Sequence, residues 1–116
     1  MVVLATPLTA GAENVAVTPR SPADMTVAER IDMLKTASRY DNCIYAQAIS
    51  RVGDFPDIRQ TADFAMGECQ HKLNDLESSI TAMGFGRDFA NAFSKHIRNR
   101  AARKILPELA IRKSGG

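Results

Sequence analysis

The stretch from Thr26 to Met83 constrains this chain most: its apolar residues recur every three or four positions, with one interruption at Gly53-Asp54-Phe55-Pro56. That period belongs to helices, and a short connection between two long helices makes them antiparallel. Thr26-Val27-Ala28-Glu29 has the form of a capping box, in which the Thr26 hydroxyl takes a free helix amide and Glu29 reaches back to the Thr26 amide. A first helix is expected over 26–52. Its apolar residues fill an arc of about 180°, wide enough to touch two neighbours. Gly53 is expected to stop it. Asp54 is the candidate cap of the second helix, with Pro56 in the first turn, where a missing amide costs nothing. The second helix is expected over 56–83, on a narrower seam of about 100° that includes Ala62, Ala65, Cys69, Leu73 and Ile80.

After Gly84-Phe85-Gly86, the residues Phe89, Phe93, Ile97, Ala101 and Ile105 recur every four positions and mark a third helix over 87–106, which Pro107 should break or kink. The expected fold is therefore all-α, a long antiparallel helical hairpin plus a basic third helix. The chain of 116 residues has room for one domain. That domain is placed at 26–111, with 112–116 as a flexible tail. Residues 13–25 hold Pro19 and Pro22 without a sustained period and read as a linker. Residues 1–12 read as a signal-peptide remnant or a disordered tail. Val2 to Leu8 is mostly apolar and Ala10-Gly11-Ala12 has the small-x-small form of a signal-peptidase site, but no cation precedes Arg20. No run reaches the roughly 18 to 20 apolar residues of a membrane span.

Cys69 falls at the centre of the second seam, whereas Cys43 falls about 60° outside the first arc. Counted outward from the turn they differ by about one helical turn, which loop geometry can absorb. A disulfide needs Cα atoms about 4.4–6.8 Å apart, closer than the usual 8–10 Å between helix axes. Ala46, Ala62 and Ala65 are small enough to allow that approach. The competing reading is two buried free thiols. The bridge and the export reading support each other, because disulfides persist in exported compartments. If it forms, the second helix must lie on the Cys43 edge of the first, leaving the edge around Ile31, Tyr45 and Ile49 for the third.

Charge is divided along the chain. Residues 1–84 carry a net −4 and residues 85–116 a net +6, within a total of +2. Lys95, Arg98, Arg100, Arg103 and Lys104 form the candidate anion- or partner-binding group. Lys95, Arg98 and Arg103 point away from the apolar stripe, while Arg100 and Lys104 border it and are expected to snorkel or to pair with acids of the first two helices. Cations in the later half of a helix also suit its dipole without any ligand. Phe64 lies outside the second seam and is either packed under the third helix or a candidate partner surface.

Chemistry-bearing constellations are weak. Cys43, Cys69, His71 and His96 lack zinc-finger spacing, and Cys69 and His71 point about 200° apart on one helix. No nucleophile elbow, Cys–His pairing or phosphate loop is present in the sequence. With no Trp and only 6% aromatic residues, a base-stacking surface is disfavoured. No metal and no cofactor is expected. The expected function is a non-enzymatic, exported (periplasmic or secreted) helical binding or adaptor module held by one disulfide, with a protein partner of acidic character. The alternative is a cytoplasmic protein that binds nucleic acid or other anions through the basic helix; nucleic acid requires that the protein stay inside the cell. Oligomeric state is left open.

Overall fold

The computed structural model describes residues 18–115. The signal-peptide or tail reading of 1–12, the first part of the linker at 13–17 and Gly116 lie outside the described residues. A single 3-10 turn, Pro22–Asp24, precedes four helices: α1 Val27–Ser50, α2 Ile58–Glu68, α3 Gln70–Ala82 and α4 Arg87–Lys113. The fold is all-α, and the only β pairing among the described residues is an isolated bridge between Arg20 and Phe85. α2 and α3 run back along α1, and α4 packs against α1, α2 and α3. Three rods result, with α1 and α4 parallel. Their shared core is carried by Tyr40 and Ile44 from α1, Leu73 and Leu76 from α3, and Ile97 and Leu109 from α4, all buried.

The capping box at Thr26 forms as its residues imply. Thr26 Oγ1 accepts from the Glu29 amide at 3.1 Å, and Glu29 Oε1 accepts from the Thr26 amide at 2.9 Å. The second capping box lies later than expected. Asp57, not Asp54, caps α2: its carboxylate accepts from the Arg59 amide at 2.9 Å, and Gln60 Oε1 accepts from the Asp57 amide at 3.3 Å. Pro56 holds the residue before it out of the helical region, so the helix starts after the proline rather than around it. Asp54 instead forms an ion pair with Arg51 in the turn that ends α1.

Two further boundaries differ from the sequence reading. The expected second helix is split at Cys69, whose backbone (φ −99°, ψ 5°) ends α2 and opens α3. Gly67, two residues earlier, weakens the helix there by about 1 kcal/mol relative to Ala. At the same level the rod is bonded to α1, with 5.9 Å between the Cα atoms of Cys43 and Cys69. Ala62 and Ala65 are buried at this contact, whereas Ala46 faces solvent and takes no part in it. In the other direction, Pro107 does not end the last helix, and α4 continues to Lys113. The missing amide strips the Arg103 carbonyl of its helix partner, but both residues sit on the exposed side, where water can serve it. Ile105 and Leu109, buried on either side of the proline, hold the two halves in line.

Residues 18–25, part of the expected linker, are docked through Arg20 onto the end of the bundle. The Arg20 amide donates to the Gly84 carbonyl at 2.9 Å. Its guanidinium donates to Glu29 at 2.7 and 3.0 Å, to the Met83 carbonyl at 2.9 Å and to the Asp24 carbonyl at 3.0 Å. It also lies 4.5 Å over the centre of the Phe85 ring, a cation–π distance. Gly84 adopts φ +96°, and a Cβ there would come within 3.1 Å of Arg20 Cδ. Glycine is needed at that position for both reasons. The Arg20 hydrogen bonds, followed by the one from the Thr26 amide, hold the Glu29 carboxyl well down, from 4.5 to about 2.

Two measurements test this frame. Closing the loop between Cys43 and Cys69 constrains the unfolded chain by about 3 kcal/mol. Reduction, or Cys43→Ala, is therefore expected to lower Tm by more than about 10 °C in a domain of this size; an unshifted melt would show that the bridge is not holding the rods. Glu29 titrates lower in the folded than in the unfolded state, so its contribution is complete above pH 4.5 and drains away as pH falls toward about 2. Acid titrations of stability should show Glu29→Gln losing less than the wild type across that window, and parallel curves would remove the clasp from the account.

Candidate interaction face

The cross-link sits near the middle of the hairpin. Cys69 is fully buried and Cys43 half-buried, and their sulfurs are bonded. The bridge sets which side of α1 faces α2 and α3, and α4 takes the opposite edge. There Arg100 donates to Asp41 Oδ2 at 2.9 Å, and Arg112 donates to the Tyr45 hydroxyl at 3.1 Å. The Asp41–Arg100 pair is part-buried and singly bonded: Asp41 Oδ1 and Arg100 Nε are buried and find no partner among the described residues. Tyr40, next to Asp41, is buried with its hydroxyl also unpaired among the described residues, and burial raises its pKa above the usual phenol value.

The five cations singled out in the sequence are not brought to one place. Arg100 is engaged by Asp41, as its position beside the apolar stripe implied. Lys104 lies on the same side and lines a cavity with Asp41, Tyr45 and Ile105. Lys95, Arg98 and Arg103 are exposed and make no ion pair within the described residues, and the Arg98 charge lies near enough to the buried Tyr40 hydroxyl to oppose the rise in its pKa. Phe64 is half-buried in a local cluster, its ring 5.7 Å from Phe55 with the Arg51 guanidinium 4.3 Å above it. It thus braces the turn between α1 and α2. His71 hydrogen-bonds the Glu68 carbonyl through Nδ1 at 3.1 Å, and His96 packs beside Phe93. Among the described residues no three His, Cys, Asp or Glu side chains converge as metal ligands. Nor is any helix there long and apolar enough to cross a membrane.

One feature was missed by sequence reasoning. Among the described residues, the large apolar side chains that stay exposed, between 46% and 74%, are Val27, Ile31, Leu34, Tyr45 and Ile111. The four on α1 fall within roughly 60° of one another on the helix and about 120° from the line of Tyr40 and Ile44. That places them beside α4, on the edge marked by Asp41. Ile111, one residue before Arg112, continues the stripe at the far end. Ile31 and Tyr45 were expected to be covered by the third helix. They remain open although α4 packs on the adjoining Asp41 edge and meets Tyr45 through the Arg112 hydrogen bond. Two hollows open between α1 and α4. One, of about 250 Å³, is lined by Met25, Arg30, Met33, Phe89 and Phe93. The other, of about 200 Å³, is lined by Asp41, Tyr45, Ala101, Lys104 and Ile105. The 180° arc of α1 carried the signal in the sequence: it is wider than the two neighbours available can cover.

Compared with known protein families, with curated proteins and with solved structures, the chain matches none.

The Asp41–Arg100 ion pair ties α1 to the middle of α4. A double-mutant cycle with Asp41→Ala and Arg100→Ala should give a coupling of about 1 kcal/mol, the upper part of the range for incompletely buried pairs. The exposed Asp57–Arg59 pair, in the same experiment, should give less; equal couplings would mean that partial burial adds nothing.

Proposed function

We propose that this chain is a non-enzymatic, exported binding module, stapled by the Cys43–Cys69 bridge, that works through the face between α1 and α4. The observation that carries this reading is the gathering of Val27, Ile31, Leu34, Tyr45 and Ile111 along one side of a cross-linked frame. Exposed apolar side chains that line up, with hollows between them, cost solubility and are kept where a partner covers them. Export is supported by the bridge, since disulfides persist in oxidising compartments. An all-helical frame closed at one end by Arg20 and across its middle by the bridge offers a rigid platform, which lowers the entropic cost of binding.

A second reading has its own observation. Lys95, Arg98 and Arg103 are exposed cations without an ion-pair partner among the described residues, and an intracellular protein could use them on nucleic acid or another polyanion. The two readings separate by compartment and by salt. Protein isolated from its native cells should be found outside the cytoplasm with both cysteines oxidised. Its partner should be lost on Leu34→Asp with Tyr45→Asp at unchanged Tm, yet retained on Lys95→Ala with Arg103→Ala. Reduced thiols in a cytoplasmic fraction, with steeply salt-dependent affinity for nucleic acid, would replace the first reading by the second.

A further inference from the structure

We propose that the α1–α4 face receives a single acidic, amphipathic helix of a partner protein, which completes a four-helix bundle. This rests on the binding-module reading above and specifies its partner. The exposed stripe from Val27 to Tyr45 spans about 27 Å along α1, the length of a helix of roughly 18–20 residues. The two hollows lie at the levels of Met33 and Ile44. Those residues stand about eleven positions and 16 Å apart along α1. Two residues eleven apart on any α-helix share one face. A docked helix can therefore set one apolar side chain in each hollow, beside Leu34 at the first and Tyr45 at the second, the helix-in-groove mode of recognition.

Charge selects the kind of helix. Each hollow carries a cation in its wall, Arg30 in one and Lys104 in the other. The acids nearest the groove are already engaged: Asp41 by Arg100 at 2.9 Å, and Glu108 by Arg112 at 3.7 Å. Asp32 falls about 160° round α1 from Leu34 and faces away. Carboxylates flanking the partner's apolar stripe would meet Arg30 and Lys104, and basic residues would be repelled. A second copy of this chain fits poorly, because antiparallel pairing of the same face sets Arg30 against Lys104 of the other copy. A lipid surface would touch the stripe but leave both hollows unfilled.

The test titrates the full-length, oxidised protein with a synthetic 20-residue Leu/Ala/Glu helix whose leucines include a pair eleven apart, and with its Glu→Lys counterpart. Amide chemical shifts locate the contact. Phosphatidylglycerol vesicles and sedimentation of the protein alone run beside it. The Glu helix should bind and shift amides of α1 and α4 along the groove. Leu34→Asp should weaken it by about tenfold or more, and Lys104→Glu should move the preference toward the Lys helix. Equal binding of both helices, shifts confined to α2 and α3, vesicle binding in place of helix binding, or self-association through this face would each overturn the proposal. If the synthetic helix fails while Leu34→Asp with Tyr45→Asp still abolishes capture of the native partner, only the acidic-helix assignment falls. If the paired substitution leaves that capture intact, the face itself is wrong.

Discussion

At one level of this bundle α1 and the α2–α3 rod are covalently tied, with 5.9 Å between the Cα atoms of Cys43 and Cys69. That tie fixes which faces of the two rods meet, and much of the arrangement follows from it. The α2–α3 rod is interrupted at the bridged residue itself, Cys69. The side of α1 that carries Cys43 is committed to that rod, so α4 is left the edge of Asp41. An apolar arc of about 180° then has one rod on each shoulder, and its outermost residues are left uncovered. The exposed stripe is thus a consequence of where the bridge lies and of how many rods the chain can supply.

The ends of the bundle are closed by cations rather than by more core. At one end Arg20 satisfies the Met83 carbonyl while sharing Glu29 with the α1 cap. At the other, Lys113 donates to the Val52 and Phe55 carbonyls beyond the end of α1. These orphaned acceptors would otherwise need water or another cap. The basic character of the last third of the chain is partly explained by such work: Arg100, Arg112 and Lys113 each serve an acceptor on an earlier element. Lys95, Arg98 and Arg103 have no such task among the described residues.

What the sequence made legible was periodic or chemically specific. The helix class, the Thr26 capping box and the pairing of Cys43 with Cys69 could be read because a 3.6-residue period, a four-residue cap pattern and offsets from a turn that agree to about one helical turn are local signals. Asp54 and Asp57 flank Phe55-Pro56 and both suit a cap, and only the conformational restriction on Phe55 decides between them. The continuation of α4 past Pro107 depends on buried Ile105 and Leu109, a tertiary effect that overrides a strong local breaker. The docking of Arg20 depends on residues about sixty positions away, with no pattern to announce it. The same holds for the groove: the width of the α1 arc was legible, but which part of it stays open is decided by the edge on which α4 packs.

The position of the bridge also bears on how this molecule answers a mechanical load. The two cysteines are separated by 26 positions, and the loop they close holds the last turns of α1, the turn and all of α2. Tension applied between the chain's two ends would pass through the sulfur–sulfur bond and bypass that loop. About 90 Å of extended contour would stay out of reach until the bridge is reduced. The loop's secondary structure could still melt, but it could not be paid out as length. Seen this way, the cross-link makes a shorter tether of the chain and shields one half of its hairpin from being pulled straight.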